Sequence, residues 1–497
     1  MIYKSTRNIN ISIKASDAIT RGLSEDGGLF VPQSFPELTF DEMAGFCSKS
    51  YNDRAKFILK KFLTDFTEEE INYCVDNAYT AEKFHSEKIA LTKNLYDKVN
   101  ILELWHGPTC AFKDMALQLL PFLLTISASK TADDKQIVIL VATSGDTGKA
   151  ALEGFKDVKN TKIIVFYPQD GVSPMQKLQM TTQQGNNVFV CGINGNFDDA
   201  QNGVKQIFGD EKIIKSLEDN DMMFSSANSI NWGRLVPQIV YYFSGYADMI
   251  NNNQIKNGDK INIVVPTGNF GNILAAYYAK KMGLPVNKFI CASNTNNILT
   301  DFINTGEYNI NREFFTTISP SMDILISSNL ERLLFDLSGN DSLKLKNLME
   351  SLKKDKYYKV DDDIKEKISE SFYGGFCDDN MTKNTIKEIY NKYNYLCDPH
   401  TAVAINVYEK YKTDLKDNTP ALIASTANPY KFSAAVLEAL DFEYDCKDEF
   451  KMLKELNKAT NMEIPQEIMD TVKNTVRFNN TCEKNEMADA IKNFLKN

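Results

Sequence analysis

The sequence has 497 residues, of which 43% are hydrophobic and 25% are charged. These fractions are typical of soluble globular proteins and exclude disordered, collagen-like and coiled-coil chains. The 56 basic and 66 acidic residues give a net charge of −10, and no basic footprint predicts nucleic-acid binding. We therefore expect a soluble protein that binds neither nucleic acid nor membrane.

The cysteine and histidine content narrows the class further. Nine cysteines are scattered without a CxxC pair, which predicts free thiols and a cytoplasmic location. Three histidines, far apart in the sequence, do not have the spacing of a zinc site, and no metal is predicted. No apolar run reaches the length of a membrane helix, and the N-terminus lacks the apolar core of a secretory signal.

The first 95 residues are predicted to form a mostly helical N-terminal domain. A turn at 26–28 leads to a short strand at 29–31, and residues 40–81 show helical spacing of their apolar side chains. From residue 96 the rhythm changes to short β-branched runs that alternate with helices. This alternation predicts an α/β fold whose parallel sheet is covered on both faces. The expected strands lie at 99–104, 137–141, 163–166, 188–190, 261–265, 289–292 and 421–424.

Later segments are predicted to be less involved in chemistry. Residues 340–395 are rich in Lys, Asp, Asn and Tyr, which indicates solvated helices that elaborate the core. The charged tail over 441–497 is predicted to be helical and exposed. Neither region offers a catalytic motif.

A glycine-bearing loop after the strand at 261–265 is the clearest anion site. It consists of Gly268, Asn269, Phe270, Gly271 and Asn272, and a helix follows it. Glycines let successive backbone N–H groups converge on one oxyanion, and the helix adds its unpaired N–H groups and dipole. It is neither a Walker loop nor a GxGxxG loop, so a plain strand-to-helix turn is the alternative.

A second candidate loop spans residues 143–148, with the sequence TSGDTG. Its glycines, hydroxyls and helix start suit a carboxylate or a second phosphate. The alternative is a well-capped helix, because Ser, Asp and Thr are all favoured caps.

Lys113 lies at a loop-to-helix junction beside the apolar Ala111 and Phe112. An apolar setting near a helix N-terminus lowers a lysine pKa and frees the amine as a nucleophile or base. The alternative is a surface lysine paired with Asp114. Pro121 predicts a bend if a helix runs through it. A nucleophilic lysine with two anion loops suggests pyridoxal phosphate, whose aldehyde bonds to lysine.

Several segments, in this order, resemble the threonine synthase family. They are residues 3–7, 26–29, 106–114, 143–148, 173–181, 228–234, 266–272 and 425–429. Cys110, Asn272 and Lys177 depart from the residues common in that family. The resemblance spans residues 3–435 and is closest to the longer form of fungi and many bacteria.

The resemblance implies a pyridoxal-phosphate fold of type II, like the tryptophan synthase β subunit, with two parallel-sheet lobes. Residues 96–134 would start the cofactor domain, 135–215 would form a smaller substrate lobe, and 216–440 the large cofactor lobe. Lys113 would be the catalytic residue and carry the cofactor as a Schiff base. The other cofactor contacts would be Gly268, Asn269, Phe270, Gly271, Asn272, Asp146 and Thr426, the last at the pyridine nitrogen.

The implied reaction converts O-phospho-L-homoserine and water into L-threonine and phosphate by γ-elimination and β-addition of water. This is the last step of threonine biosynthesis. The expected substrate contacts are Ser144, Thr147, Asn228, Asn231 and Arg234. Arg234 offers a bidentate fork for phosphate. We expect a monomer or a weak homodimer.

Two other functions fit part of the pattern. A serine/threonine dehydratase, or another β-replacement enzyme of the same fold, would need no site for a substrate phosphate. A non-catalytic binding protein would not need Lys113 beside two intact loops.

Overall fold

The computed structural model describes residues 1–132, 135–143, 145–443 and 448–495. Within them the chain alternates strands and helices, as the sequence predicts. The strands are β1 (Tyr3–Ser5), β2 (Asn8–Ile13), β3 (Phe30–Pro32), β4 (Leu91–Tyr96), β5 (Val99–Glu103), β6 (Gln136–Ala142), β7 (Thr161–Pro168), β8 (Val188–Asn194), β9 (Met222–Ser226), β10 (Ile261–Pro266), β11 (Val286–Ser293), β12 (Glu307–Asn309), β13 (Tyr357–Lys359), β14 (Phe372–Phe376), β15 (Ala421–Ser425) and β16 (Thr481–Glu483).

Helices cover most of the remaining chain. They are α1 (Ala15–Arg21), α2 (Phe40–Gly45), α3 (Tyr51–Phe62), α4 (Glu68–Ala78), α5 (Ala81–Phe84), α6 (Asp114–Leu117), α7 (Leu120–Thr131), α8 (Asp146–Phe155), α9 (Pro174–Thr181), α10 (Phe197–Phe208), α11 (Glu211–Glu218), α12 (Trp232–Asn251), α13 (Gly271–Lys281), α14 (Ile298–Thr305), α15 (Leu330–Leu337), α16 (Ser342–Asp355), α17 (Asp362–Ser371), α18 (Asp379–Tyr393), α19 (Pro399–Leu415), α20 (Ser433–Ala439), α21 (Glu449–Thr460), α22 (Gln466–Lys473) and α23 (Met487–Leu495). Short 3₁₀ turns occupy Phe46–Ser48, Pro320–Met322 and Pro429–Phe432.

The larger sheet has the strand order β14-β11-β10-β15-β5-β4. Its pairs are parallel except at the edge, where β4 runs antiparallel to β5. Every residue of β5, β10 and β15 is buried, because helices cover both faces. Strand β14 joins this sheet from within residues 340–395, which the composition had predicted to be solvated helices. Its two glycines weaken the strand signal, and Gly374 packs against the backbone of Thr300.

The smaller sheet has the order β16-β8-β7-β6-β9, and all its pairs are parallel. Two of its strands lie outside the predicted lobe at 135–215. Strand β9 follows that segment, and β16 comes from the tail that the sequence predicted to be helical. The small lobe therefore extends to residue 226, and the chain returns to it once, at β16.

The N-terminal unit combines the antiparallel sheet β2-β1-β3 with helices α1 to α5. Its core is continuous with the large lobe. The ring of Tyr3 lies 5.2 Å from that of Trp232 in α12, and Trp232 is completely buried. Arg7 pairs with Glu331 of α15 at 2.7 Å. This unit therefore braces the helix that leads into the site described below.

Pro121 does not bend a continuous helix. Helix α6 ends at Leu117, and α7 begins at Leu120 with Pro121 in its first turn, where a missing N–H costs no hydrogen bond. Among the described residues, no helix is both long enough and apolar enough to cross a membrane.

Candidate active site

A cavity opens between the two lobes, at the edge where the strands of both sheets end. Ligands bind at this edge in open α/β sheets. The wall is formed by segments from both lobes. It consists of Phe112, Lys113, Thr147, Asn228, Ser229, Arg234, Gln238, Pro266, Thr267, Gly268, Asn269, Phe270, Gly271, Asn272, Ser321, Met322, His400 and Thr426.

Lys113 immediately precedes helix α6 and is buried, with 8% of its surface exposed. Its Nζ lies 3.1 Å from Oδ2 of Asp146 and 3.4 Å from Oγ of Ser321. The ring centroid of Phe112 is 4.5 Å from the same nitrogen. Burial lowers the pKa of Lys113 below its ordinary value, and the nearby charge of Lys431 lowers it further, against the opposing effect of Asp146. The amine is thus easier to deprotonate than a surface lysine.

The loop of residues 267–272 connects β10 to α13 and forms a cradle of backbone. A Cβ added to Gly268 would lie 2.6 Å from the backbone oxygen of Ser321, so a larger residue would not fit there. Phe270 adopts φ 61°, a left-handed conformation that is uncommon outside glycine and asparagine. This turn aims the start of α13 at the cavity, where the unpaired N–H groups of a first helical turn attract an anion.

Two buried polar atoms of this loop have no hydrogen-bond partner among the described residues. They are Oδ1 of Asn269 and Nδ2 of Asn272. Oδ1 of Asn272 accepts hydrogen bonds from the hydroxyls of Tyr241, at 2.7 Å, and Tyr242. These two hydroxyls fix the orientation of the amide, so its N–H groups are left for a ligand. An unpaired buried donor is costly, so Nδ2 of Asn272 fits a bound anion, whereas Oδ1 of Asn269 is an acceptor and cannot contribute to anion binding.

Thr426 follows β15 and faces the same cavity from the large lobe. Its carbonyl accepts a hydrogen bond from the N–H of Phe112 at 2.8 Å, and an isolated bridge joins Ala111 to Ala427. These backbone contacts tie Thr426 to the segment that carries Lys113.

A buried guanidinium, that of Arg234, lies across the cavity on α12. Arg234 donates from Nη1 to the carbonyl of Ala227 at 2.8 Å and from Nη2 to Oγ1 of Thr147 at 3.1 Å. Its Nε is buried without a hydrogen-bond partner in the described part of the chain. Burial lowers the pKa of Arg234 to about 10, so the guanidinium stays charged near neutral pH. Asn228 lies beside it and donates to the carbonyl of Ala142 at 2.9 Å.

Two predicted site residues, Asp146 and Asn231, do not line this cavity in the structure. Asp146 lies just behind it, where its carboxylate contacts Lys113 and Lys431. Asn231 caps α12 by accepting from the N–H of Gly233, and its amide donates to the carbonyls of Ile19 and Ser226. Ser144 lies outside the described residues.

Other wall residues were not predicted from the sequence. Nε2 of His400 accepts from the N–H of Ser321 at 3.2 Å, and its Nδ1 lies 2.8 Å from Oδ1 of Asp398. Asp398 and Pro399, just before His400, have the sequence pattern of a helix start, but such a pattern carries no information on proximity to Lys113. Ser321 belongs to a long loop whose sequence carries no motif. No group of His, Cys, Asp and Glu side chains in the described residues is arranged to hold a metal ion.

Three family models match the chain in succession. Residues 2–79 match the threonine synthase N terminus, residues 89–426 the pyridoxal-phosphate dependent enzymes, and residues 401–476 the threonine synthase C-terminal region. The fold and the lysine-bearing cavity thus define a pyridoxal-phosphate-dependent enzyme of the α/β type that the sequence predicted.

Individual relatives narrow the class. Threonine synthase of Saccharomyces cerevisiae is 37% identical over 510 residues, which cover 96% of this chain and 97% of the yeast chain. The crystal structure of pyridoxal-phosphate-bound threonine synthase from Brucella melitensis superposes with a TM-score of 0.86 at 34% identity and covers 99% of both chains. The chain belongs to the threonine synthase family. Human threonine synthase-like 1 is 39% identical over 460 residues, and the match spans 90% of this chain but only 59% of the human protein.

Proposed function

We propose that the protein is a threonine synthase, which converts O-phospho-L-homoserine and water into L-threonine and phosphate. One observation carries this proposal. A buried lysine amine and two separate anion-binding groups, the loop at 268–272 and Arg234 with Thr147, face one cavity. A pyridoxal-phosphate enzyme acting on a phosphorylated amino acid needs this combination, because cofactor and substrate each bring a phosphate.

The loop at 268–272 would hold the cofactor phosphate, Lys113 would bond to the cofactor aldehyde, and Thr426 would contact the pyridine nitrogen. Pyridoxal phosphate held by these residues would supply an electron-withdrawing ring for the substrate carbons. The unpaired Nδ2 of Asn272 and the close approach allowed by Gly268 support this arrangement.

Lys113 would move the protons of the reaction. Once the substrate amine displaces it, its Nζ takes the proton from the substrate Cα and then one from Cβ, so that phosphate leaves Cγ. It then returns one proton to Cγ. Water adds to Cβ as hydroxide, its remaining proton goes to the released phosphate in the overall balance, and Lys113 returns the second proton to Cα. The low pKa of its buried amine suits both uptake and release of a proton near neutral pH.

Arg234 and Thr147 would bind the substrate phosphate, with Asn228 beside them. The guanidinium is buried and charged, and its Nε has no partner among the described residues. A dianionic phosphate placed there would satisfy it with strong, charge-assisted hydrogen bonds. A dehydratase of the same fold has no need of this second group, so Arg234 favours the synthase.

We also propose a monomer or weak homodimer, since the residues used in the proposed mechanism are all supplied by this chain and none is needed from a second copy. Eight cysteines of the described residues are free thiols, which supports a cytoplasmic location. The acidic balance of the chain supports a function without nucleic acid.

The test is to supply the purified protein with O-phosphohomoserine and to follow threonine and phosphate together. We expect equal amounts of both, and loss of turnover in Lys113→Ala, although this variant still retains some cofactor through the loop at 268–272. Borohydride reduction of the wild type, followed by peptide mapping, is expected to label Lys113. Serine and threonine serve as control substrates. Release of ammonia from them, with none of the expected products from O-phosphohomoserine, would identify a dehydratase instead.

A further inference from the structure

Lys431 is a buried lysine next to the proposed active site for which the mechanism above has no role. It lies in the 3₁₀ turn Pro429–Phe432 of the large lobe, and its side chain has no exposed surface. Its Nζ is 2.8 Å from Oδ1 of Asp146 and 2.9 Å from the carbonyl oxygen of Thr109. A lysine is rarely buried completely unless its charge is paired.

Asp146 therefore holds two lysines at once. Its Oδ1 faces Lys431 and also accepts from Nε2 of Gln176 at 2.8 Å, while its Oδ2 faces Lys113 at 3.1 Å. The carboxylate stands at the first residue of α8, on the small lobe, whereas both lysines belong to the large lobe. Burial disfavours the charge of Asp146, but the two ammonium groups outweigh burial and lower its pKa well below the ordinary value.

The two lysines differ once a cofactor is present. Lys113 bonds to the cofactor and later shuttles protons, so its attraction to Asp146 changes through the reaction. The contacts of Lys431 with Asp146 and Thr109 involve neither cofactor nor substrate. A buried carboxylate left without a cation is strongly disfavoured, so a permanent partner is needed.

We propose that Lys431 is a positioning residue that keeps Asp146 ionised and in place while Lys113 reacts, and that its charge favours the free amine of Lys113. The inference rests on the proposed function, because it takes Lys113 to be the reacting amine. Lys431 acts from behind Asp146 and does not line the cavity itself.

The charged and titratable groups around Lys113 set the sign of the expected effect. Asp146 faces it from α8, Lys431 from the turn before α20, Arg234 from α12, and His400 from α19. Asp114, the first residue of α6, follows Lys113 in the chain. Its carboxylate accepts hydrogen bonds from the N–H and the hydroxyl of Thr109. Removing the charge of Lys431 makes the surroundings of Lys113 less positive. Lys113, paired with Asp146, should therefore keep its proton up to a higher pH.

The experiment measures the pH dependence of cofactor capture by the full chain. After removal of the cofactor, pyridoxal phosphate is added back across a pH series, and bonding to the protein is followed by visible absorption. We expect the inflection to move up by about one pH unit in Lys431→Met, which matches the length of the side chain without its charge. Lys431→Arg, which keeps the charge, should return it towards the wild-type position. Lys149→Gln is the matched control, because Lys149 also lies on α8 but contacts Glu153 and Gln183 instead.

A second measurement separates this inference from the proposed function. Trace reductive methylation of Lys113 across the same pH series, read by peptide mass mapping, reports on its amine without any cofactor. An upward shift in Lys431→Met here supports the role of Lys431 even if pyridoxal phosphate were found to bond elsewhere. An unchanged inflection in folded Lys431→Met, or the same shift in Lys149→Gln, would overturn the inference. If Lys431→Met does not fold, the pH inflection is compared between Lys431→Arg and Lys431→Gln instead. A higher inflection in Lys431→Gln supports the inference, and equal inflections would overturn it.

Discussion

Burial drives the proton affinities of two adjacent residues in opposite directions. Lys113 and Asp114 are both buried, and burial disfavours the charged form of each. The pKa of Lys113 is therefore lowered, while the pKa of Asp114 is raised to about 6 despite hydrogen bonds from Thr109 that act against the rise. The same low-polarity setting that prepares the lysine for chemistry thus makes its neighbour sensitive to pH.

The raised pKa of Asp114 predicts a pH-dependent contribution to stability. The contribution is fully present below the ordinary value of 3.8 and is lost as pH rises through about 6, because the native state binds this proton more tightly. In Asp114→Asn, we expect the gain in unfolding free energy from pH 8 to pH 5 to be smaller than in the wild type by about 1–2 kcal/mol. Urea unfolding at both pH values measures it, with Asp97→Asn at an exposed turn as the control. Parallel pH profiles for wild type and Asp114→Asn would contradict the assignment.

Two substitutions are expected to separate the two anion-binding groups. Gly268→Val should weaken cofactor binding at least tenfold, because a branched side chain collides with the backbone of Ser321. Arg234→Gln should leave the visible spectrum of the bound cofactor intact and raise KM for O-phosphohomoserine by about 10–100-fold, the loss of a charge-assisted hydrogen bond. Titrations with cofactor and with substrate measure the two effects. Loss of the cofactor from folded Arg234→Gln would show that the division of the site is wrong.

The residues that sequence reasoning found are those with a local signal. Gly268 and the loop after it follow a strand and open a helix, and Lys113 lies at a similar junction, so pattern alone pointed to them. Ser321, His400 and Lys431 reach the site only because distant segments fold against it, and no spacing in the sequence reports that. Asn231 shows the converse, since a motif position turned out to cap a helix.

At the scale of elements, the strands that were predicted are the long apolar ones in the middle of the sheets. Of the two larger sheets, the prediction missed β4, β9, β14 and β16, which are three to six residues long and carry few β-branched side chains. Each of them lies at an edge of its sheet, where half of the backbone pairing is absent and sequence demands are weaker. The hydrophobic pattern of the sequence therefore does not reveal the short strands at the edges of the sheets.

The tail is predicted to stabilise the small lobe. Strand β16 covers the edge of β8, and α23 places Met487 against Gly203 of α10 and the ring of Phe494 on Phe189 at 5.0 Å. Met487 is 1% exposed, so Met487→Ala should cost about 2–4 kcal/mol through lost packing. Hydrogen exchange measures the free energy of opening at individual backbone amides. We expect it to fall by this amount at the amides of β8 and to stay unchanged at those of β10.

Leu343→Ala provides the control for that substitution, because Leu343 is 68% exposed on α16. It should change neither set of amides by more than about 0.5 kcal/mol. Equal losses at β8 and β10 in Met487→Ala would mean that the lobes open as one unit and that the tail has no local role.

At the scale of the whole molecule, the site is assembled across the boundary between two lobes. Asp146 and Thr147 of α8 meet Lys113, Lys431 and Arg234 of the large lobe. A substrate phosphate between Arg234 and Thr147 would join the lobes further. Such closure excludes water until the correct step, which protects a reactive intermediate.

A phosphonate analogue that cannot lose its phosphorus group is therefore expected to make the protein more compact and more resistant to protease. Inorganic phosphate should do so only weakly, because it supplies one of the two anionic groups of the substrate and lacks the carboxylate. Small-angle scattering with and without the analogue measures the change, and a shift in cofactor absorption confirms binding. Identical profiles at saturation would show that the lobes do not move.

The central claim is that phosphate leaves by cleavage of its bond to carbon and that water adds to the neighbouring carbon. Turnover of O-phosphohomoserine in ¹⁸O-labelled water tests it most directly, with both products analysed by mass spectrometry. The account predicts one ¹⁸O in the side-chain hydroxyl of each threonine and unlabelled phosphate. Labelled phosphate together with homoserine would mean that the protein only hydrolyses the phosphate ester, and it would contradict the proposed function.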